Sequence, residues 1–513
     1  MGARPIHRLL IANRGEIAVR IARACRNLGI VPVAVASEAD RGAFHTRVAA
    51  ETVFIGPAAP AESYLDIDRL VGAARERRCD AVHPGYGFLS QNSRFAEAVE
   101  GAGLIFVGPP PQAMRLMGDK IASRRAMAAA GVPVVPGYEG AGDESEEVFG
   151  DEAGRIGYPV LVKAAGGGGG RGMRVVHTPE ELRPALDSAR REALKAFGDP
   201  RLFLEKVVED ARHIEMQILA DAHGRYVHLF ERECSIQRRF QKMVEESPSP
   251  LVDAGLRAQM GDAAIAAAHA CGYVNAGTVE FLIGRDRRFF FLEMNTRIQV
   301  EHGVTELVTG VDIVQAQIRI AAGEPLPLRQ RDVRQEGHAL ECRVNAEDPS
   351  REFAPSSGRV LLACFPGGPG IRVDAGVETG DLVSPYYDSL IAKILVHAGE
   401  RAAALATMDE ALARTAVLGV ETNVPYLRAI LAHPAFRAGE ATTEFTAREL
   451  GGWRPAAGPV PDETLAVAAL AEALGATSGS RAGAGAHAGA AGDDDADAYS
   501  PWARADHFRP GAR

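Results

Sequence analysis

Residues 278–295 read TVEFLIGRDRRFFFLEMN, two apolar runs on either side of a short polar turn. This pattern predicts an antiparallel β-hairpin. With the turn centred in the polar run, Glu280 stands opposite Glu293, and like charges in that position destabilise the hairpin unless a cation neutralises them. Asn295 lies two residues beyond Glu293, on the same face. Two carboxylates and an amide oxygen suit Mg²⁺ carrying ATP phosphates, with two exposed glutamates on a wet face as the alternative.

The residues that follow the hairpin, TRIQVEH (296–302), add an arginine and a glutamate. The guanidinium fork of Arg297 is of the kind that binds a small planar oxyanion such as bicarbonate. Glu301 can take a proton from such an anion. A surface salt bridge is the alternative, but the position beside the carboxylate hairpin favours an anion site.

A glycine-rich run lies between two strand-like segments earlier in the chain, where Lys163 is followed by AAGGGGGRGM. Glycines at a hairpin tip let backbone N–H groups approach a phosphate closely and let a flap move. The run does not end in Gly-Lys-Ser/Thr, so it is not a Walker A loop. It predicts a mobile phosphate-binding flap, with a flexible linker as the alternative.

The periodicity of the remaining sequence indicates several parts. Up to about residue 115, apolar strands alternate with helical segments, as in an open α/β sheet. Its first turn, NRG, holds a single glycine, which argues against a dinucleotide site. From residue 338 onward, short strands alternate with Gly/Pro turns. Residues 476–498 are mostly Ala, Gly, Ser and Asp, cannot bury enough apolar surface to fold alone, and are predicted to be a linker.

The composition argues against several classes of protein. The chain has 57 Lys+Arg against 67 Asp+Glu and no long basic stretch, so we expect no nucleic-acid partner. It shows neither a signal-like apolar segment nor a membrane-spanning run, so we expect a cytoplasmic protein without a membrane anchor. Its six cysteines form no C-x-x-C pair, which argues against a disulfide framework or a zinc site.

Lysine is scarce in this chain, where arginine is the usual surface cation. A lysine retained in such a sequence suggests a need for its compact ammonium, for example to bind a phosphate, although chance is the alternative. The lysines are Lys120, Lys163, Lys195, Lys206, Lys242 and Lys393.

The motifs over residues 6–450 resemble those of biotin carboxylases and of the biotin carboxylase part of acyl-CoA carboxylase α subunits, in the ATP-grasp superfamily. A glycine-rich loop occurs in many ATP-grasp enzymes, but EMNTRIQVEH followed by ECRVNAEDP is specific. The runs that carry the resemblance are IANRGEIAVRI, HPGYGFLSQN, LMGDK, YPVLVKAAGGGGGRGMRVV, ERECSIQRR, EFLIGRDRRFFFLEMNTRIQVEH, ECRVNAEDP, SPYYDSLIAKI and GVETNVPYL.

The resemblance implies a fold that is α/β and α+β, in three parts. These are an N-terminal open α/β domain preceding the ATP-grasp domain (1–118), an ATP-grasp domain (119–335) with a mobile lid at about 135–207, and a β-rich C-terminal domain (336–451). The remaining residues, 452–513, are expected to be an Ala/Gly-rich linker and tail, mostly disordered.

The resemblance also implies an ATP-dependent ligase that works in two steps. ATP phosphorylates bicarbonate to carboxyphosphate, which breaks down to CO₂ and phosphate. The phosphate then deprotonates biotin, whose ureido nitrogen attacks CO₂. The implied cofactors are ATP and Mg²⁺ or Mn²⁺, with biotin as a substrate carried on another protein.

The family's functional residues can be placed on this sequence. The implied nucleotide contacts are Lys120, Lys163, Gly169, Gly170, Glu205, Lys206, Val207, Val208, His213 and Gln237. The implied metal ligands are Glu280, Glu293 and Asn295. The implied bicarbonate and biotin contacts are Lys242, Arg297, Gln299 and Val300, with Glu301 as the base, Arg343 on the biotin ureido oxygen and Tyr86 nearby.

The sequence departs from the family pattern at two positions. Phe240 replaces the histidine of QRRHQK and cannot donate a hydrogen bond to a nucleotide. Gly303 replaces the proline of EHPVTE, and glycine loosens the backbone beside the implied base. Two alternatives therefore stay open: an ATP-grasp ligase with another acceptor, and a divergent subunit of low activity.

The sequence predicts that the biotin is carried elsewhere. No Ala-Met-Lys-Met run is present, and Lys393 is the last lysine. Residues 500–509, SPWARADHFR, resemble the segment that follows the carboxylase part in α subunits. We expect a homodimer whose partners are a biotin carboxyl carrier protein and a carboxyltransferase subunit, with a truncated gene as the alternative. The sequence does not indicate which acyl-CoA is the final acceptor.

Overall fold

The computed structural model describes residues 4–140, 145–165, 173–455, 462 and 464–470. The chain divides into two compact units, 1–455 and 456–513. In the second unit the described residues are helical. Among the described residues, no helix is long and apolar enough to cross a membrane.

The N-terminal part of the first unit is an open parallel sheet, as the sequence predicted. The strand order is 3-2-1-4-5, so the first strand is central and the chain leaves it first to one side and then to the other. Ligands bind at such a switch point, beyond the carboxyl ends of the strands. The turn there is formed by residues 12–14. The strands are Arg8–Ile11, Val31–Ser37, Glu51–Gly56, Ala81–His83 and Ile105–Phe106, and the helices are Gly15–Asn27, Glu38–Asp40, Phe44–Val48, Pro60–Glu62, Ile67–Glu76 and Ser93–Gly101.

A small antiparallel sheet follows the helices Pro111–Gly118 and Lys120–Ala129. The strands before and after the glycine-rich run are antiparallel neighbours, with Val160 opposite Val176. The tip of this hairpin, with Gly169 and Gly170, lies outside the described residues. The strands in spatial order are Gly137–Glu139, Leu202–Lys206, Val160–Ala164 and Arg174–Val176, and the helices are Glu146–Ile156 and Pro179–Phe197.

The largest element is an eight-stranded antiparallel sheet that runs from the ATP-grasp part into the C-terminal part. The two parts join where the fifth strand pairs with the sixth, with Glu245 opposite Glu341. In spatial order the strands are Phe289–Asn295, Asn275–Ile283, Arg212–Ala220, Tyr226–Arg238, Gln241–Ser247, His338–Asn345, Leu390–Ala398 and Ile371–Ala375. The helices Ala254–Ala270, His302–Thr309, Ile313–Ala321 and Gln330–Asp332 accompany it.

Short strands and helices complete the C-terminal part, in agreement with the alternation predicted from residue 338 onward. The strands are Glu347–Asp348, Ala354–Pro355, Gly358–Arg359, Leu362–Cys364, Leu382–Val383 and Ala416–Leu418. The helices are Pro349–Arg351, Arg401–Ala413, Val424–Ala432, Pro434–Arg437 and Phe445–Leu450.

The carboxylate hairpin has the predicted register and one feature that was not predicted. Glu280 pairs with Glu293, as expected, but the next pair toward the turn is Phe281 with Phe291. Leu292 is therefore an extra residue in its strand, which is a β-bulge. Because the strands nearer the turn are offset by one residue, the bulge is what brings the two glutamates opposite each other.

Candidate active site

Charged side chains lie on one face of the large sheet, where sequence-distant strands meet. Glu215 stands opposite Glu280 on one neighbouring strand and opposite Arg232 on the other. Its carboxylate accepts hydrogen bonds from Arg232 (2.6 Å) and from Lys242 (2.6 Å). Buried charges persist only when they are paired in this way, so these strands form a polar floor in an otherwise apolar sheet.

Lys242 is the cation at the centre of this floor. Its ammonium lies 2.6 Å from Glu215, 3.1 Å from Glu280 and 2.6 Å from Glu301. Burial alone would lower the pKa of Lys242, but the surrounding acidic groups raise it well above its usual value. A compact ammonium therefore occupies the position between these carboxylates that a metal ion could otherwise take.

Glu301 stands at the start of the helix His302–Thr309 and is fully buried. It accepts hydrogen bonds from Lys242 and from Arg343 (2.9 Å). Burial alone would raise the pKa of Glu301, but Lys242 and Arg343 hold it well below its usual range. The carboxylate is therefore ionised at neutral pH and can accept a proton.

Arg343 connects this floor to a cavity of about 490 Å³. Glu245, 2.5 Å away, and Glu301 fix its guanidinium. Arg297, Val300 and Tyr86 line the same cavity, together with the turn after the first strand. Three groups implied to contact biotin or bicarbonate thus share one space with Arg343.

The hairpin brings the implied metal ligands together. Asn295 Nδ2 lies 2.9 Å from Glu280 and 3.4 Å from Glu293, so it bridges the two carboxylates. The Asn295 Oδ1 atom accepts a hydrogen bond from Arg297 (3.1 Å), so this side chain would have to rotate before its oxygen could ligate a metal. Lys120 lies 3.4 Å from Glu293 and partly offsets its charge. The two carboxylates fit a hard divalent cation, with Asn295 as a third oxygen ligand after that rotation.

Glu280 has further partners that were not expected from spacing alone. His213 Nε2 lies 2.8 Å from its carboxylate, and Gln299 donates to it at 2.8 Å. Burial would raise the pKa of Glu280, but Lys242 and His213 lower it strongly. Glu280 is therefore anionic, as a metal ligand must be.

Arg297 lies just beyond the carboxylate hairpin. Its guanidinium contacts Gln91 (3.0 Å), Asn295 (3.1 Å) and Gln299 (2.7 Å) and forms no salt bridge with Glu301 among the described contacts, which argues against the alternative of a surface salt bridge. Gln299 in turn donates a hydrogen bond to Glu280, so its side chain links Arg297 to the carboxylate hairpin.

The implied nucleotide contacts that the structure describes lie on or beside the small sheet, on inner strands of the large sheet and at the start of the helix Lys120–Ala129. Lys163 is buried and lies 2.7 Å from Glu205, which also pairs with Arg124 at 2.9 Å. Lys206 donates to the carbonyls of residues 157 and 158, so its ammonium is engaged within the protein. Val207 and Val208 follow the strand Leu202–Lys206. Gln237 lies opposite Lys242 in the large sheet.

Sequence reasoning missed several residues in and around this site. Three of them share one signal, a charged or amide side chain within an otherwise apolar strand or motif, which could have been noticed in HIEMQILA, YVHLFERECSI and HPGYGFLSQN. The missed residues are Gln91, Arg124, Glu215, Arg232 and Glu245.

Comparisons with known proteins agree along the whole first unit. Family models match at residues 5–114 (biotin carboxylase, N-terminal domain), 119–329 (carbamoyl-phosphate synthase L chain, ATP binding domain) and 341–448 (biotin carboxylase C-terminal domain). Biotin carboxylase 1 of Bacillus subtilis is 51% identical over 441 residues, which cover 86% of this chain and 98% of that protein. The chain belongs to the biotin carboxylase family.

Further relatives broaden this assignment. The mitochondrial methylcrotonoyl-CoA carboxylase subunit alpha of Dictyostelium discoideum is 47% identical over 91% of this chain and 67% of its own length. The biotin carboxylase domain dimer of Hydrogenobacter thermophilus 2-oxoglutarate carboxylase, solved with MgADP, ADP and bicarbonate, matches with a TM-score of 0.85 and 46% identity over 89% of this chain and 100% of that one. The family, the fold and the enzyme class predicted from the sequence, an ATP-dependent ligase that carboxylates biotin, are confirmed.

The two departures from the biotin carboxylase pattern lie in different surroundings. Phe240 and Arg239 form a two-residue turn with φ of 67° and 48°, and the Phe240 side chain is 61% exposed. Both residues are thus in the left-handed region that hairpin turns of this length require. Gly303 lies inside the helix that follows Glu301, and a Cβ built there would overlap Leu395. Leu395 therefore fills the space that a proline ring would need.

Proposed function

We propose that this biotin carboxylase binds ATP, a divalent cation and bicarbonate across the polar floor, and carboxylates biotin held on a separate carrier protein. The observation that carries the assignment is the buried triad of Lys242, Glu301 and Arg343, in which one ionised carboxylate lies between two fixed cations. An ionised carboxylate is needed to accept the proton of a bound bicarbonate, and the two cations attract that anion to it.

The nucleotide lies at the carboxylate hairpin in this proposal. Lys120 and Lys163 offer ammonium groups to its phosphates, and Glu280, Glu293 and Asn295 hold Mg²⁺ or Mn²⁺. Such an ion would offset the negative charge of the phosphates. A solved relative that contains MgADP supports a nucleotide and a magnesium ion as ligands.

Bicarbonate lies between Arg297 and Lys242, within reach of Glu301. Glu301 takes the bicarbonate proton, and a bicarbonate oxygen then forms a bond to the γ-phosphorus while the bond to the ADP oxygen breaks. The product, carboxyphosphate, breaks down to CO₂ and phosphate. Each positive group lies where negative charge develops, which is the usual source of catalysis in phosphoryl transfer.

Biotin enters the cavity of about 490 Å³, where Arg343 meets its ureido oxygen and Tyr86 lies on the wall. The phosphate released in the first step takes the ureido N–H proton, and the nitrogen attacks CO₂. Arg343 stabilises the negative charge on the ureido oxygen, and Glu245 holds the guanidinium in place.

The partners follow from the same reaction. A biotin carboxyl carrier protein supplies the biotin, a carboxyltransferase subunit consumes the carboxybiotin, and two copies of the chain form a homodimer. The dimer of the solved 2-oxoglutarate carboxylase domain supports the last point.

Bicarbonate-dependent ATP hydrolysis, measured with and without free biotin, tests the proposal. We expect hydrolysis that requires bicarbonate and rises with biotin. Stimulation by a different acceptor would favour another ATP-grasp ligase, and ATP binding without any hydrolysis would favour a divergent, inactive subunit. Either result would contradict the proposal.

A further inference from the structure

Lys393 is a buried lysine that the assignments above leave without a role. Its side chain is fully buried on the strand Leu390–Ala398, opposite Arg343 on the neighbouring strand. Its ammonium donates a hydrogen bond to the carbonyl of Val300 at 2.7 Å. That carbonyl belongs to the peptide that joins Val300 to Glu301, so Lys393 holds the backbone on which the proposed base is mounted.

The other neighbour of Lys393 comes from the N-terminal part. Glu16 Oε1 lies 3.4 Å from the ammonium, and the same oxygen accepts the hydroxyl hydrogen of Tyr86. Glu16 reaches this position because its helix packs closely on Gly376, where a Cβ would lie 2.6 Å from the Glu16 backbone nitrogen. One continuous chain of polar contacts therefore runs from Tyr86 through Glu16 and Lys393 to Val300.

The charge on Lys393 is maintained despite complete burial. Burial alone would lower its pKa, but the carboxylates of Glu16, Glu341 and Asp374 raise it above the ordinary value. A buried ion pair is often replaceable by apolar residues without loss of stability. An apolar side chain at position 393 could therefore fill the same space. Only a side chain with a hydrogen-bond donor, such as lysine, can bind the Val300 carbonyl.

We propose that Lys393 is a positioning residue that fixes the peptide between Val300 and Glu301, and that Tyr86 and Glu16 link this peptide to the biotin cavity. The inference rests on the proposed function, in which Val300 contacts bicarbonate, Glu301 is the base and Tyr86 lines the biotin end. Its consequence is that a change on the biotin side alters the affinity for bicarbonate when no biotin is present.

The first experiment changes only the distant end of the chain of contacts. Tyr86→Phe removes one hydroxyl, and its matched control, Tyr226→Phe, removes a hydroxyl from a tyrosine that packs against His269 and does not line the cavity. Bicarbonate-dependent ATP hydrolysis is measured without biotin. We expect the KM for bicarbonate to rise about threefold to tenfold in Tyr86→Phe, with the KM for ATP and the control unchanged. An unchanged bicarbonate KM in Tyr86→Phe would overturn the link.

The second experiment separates positioning from charge neutralisation. Lys393→Met leaves Glu16 without its cationic partner and is expected to lower the melting temperature. The double variant Glu16→Gln/Lys393→Met removes the charge of Lys393 together with that of its nearest carboxylate and should recover part of the melting temperature, while its KM for bicarbonate stays about tenfold or more above that of the unchanged enzyme. A tenfold change corresponds to about 1.4 kcal/mol.

The outcomes distinguish this inference from the proposed function. If the double variant regains the normal KM for bicarbonate, Lys393 only neutralises Glu16, and the positioning role is wrong. If the unchanged protein shows no bicarbonate-dependent hydrolysis, the proposed function fails and the inference fails with it. A raised bicarbonate KM in a stable double variant, with normal ATP binding, supports the inference.

Discussion

Replacement of Glu301 by glutamine is expected to stop turnover while leaving the protein folded. Glutamine keeps the volume but cannot take a proton, and loss of a general base typically costs ~10²–10⁴ in rate, or about 3–5 kcal/mol of barrier. The structure limits the cost in stability. In the variant, Lys242 still contacts Glu215 (2.6 Å) and Arg343 still contacts Glu245 (2.5 Å), so each cation retains a carboxylate partner. The free energy of unfolding should therefore fall by about 3 kcal/mol at most.

The assay is bicarbonate-dependent ATP hydrolysis under saturating ATP and Mg²⁺, together with calorimetric ATP binding. Glu233→Gln is a matched control, because Glu233 is an equally buried carboxylate that is held by Ser235 and Ser249 and lies outside the proposed site. We expect the control to change the rate less than about twofold. A Glu301→Gln enzyme that retains more than a tenth of the rate, with normal ATP affinity, would refute the assignment of Glu301 as the base.

Four further predictions concern other parts of the molecule. Glu280→Gln and Glu293→Gln should each raise the Mg²⁺ concentration needed for half-maximal turnover about tenfold or more, and an unchanged requirement in both would contradict the shared metal site. Arg343→Ala should reduce biotin carboxylation much more than bicarbonate-dependent ATP cleavage; equal losses would show that the division of roles is wrong. Phe240→His should tighten ATP binding about tenfold, the worth of a hydrogen bond of ~1.5 kcal/mol to a charged group, and equal or weaker binding by calorimetry would argue against it. Burial raises the pKa of Glu233 from its ordinary 4.5 to about 7, so the protonated residue contributes folding stability below pH 4.5 that is lost as the pH rises through 7. Glu233→Gln should therefore raise the melting temperature more at pH 8 than at pH 5. An equal rise at both pH values would contradict this prediction.

The sequence was most informative where chemistry is local. The alternation of apolar and polar residues around Glu280 and Glu293 was sufficient to predict their pairing, because both belong to one hairpin. The bulge at Leu292 was not predictable, since an extra residue in a strand leaves the hydrophobic pattern nearly unchanged. The correct pairing therefore resulted from an assumed turn position and an unforeseen bulge together.

Contacts between segments that are distant in the sequence could not be predicted from it. Glu245 and Arg343 are almost a hundred residues apart, and their ion pair depends on how the strands of the two parts associate. Arg297 and Glu301 are close in sequence, but their side chains contact different partners, Gln299 and Arg343, which closeness in sequence does not indicate. The role of Lys393 depends on a helix from the N-terminal part, which no local pattern indicates.

The junction between the fifth and sixth strands of the large sheet has a consequence for protein engineering. The family models for the ATP-binding and C-terminal regions are separated by residues 330–340, which invites an exchange of modules between relatives at that point. Yet the backbone of Gln241–Ser247 hydrogen-bonds to that of His338–Asn345 across the same boundary. Severing the modules there would expose two long strand edges, which are templates for aggregation. A chimera made at this boundary must therefore preserve the matching register of both strands.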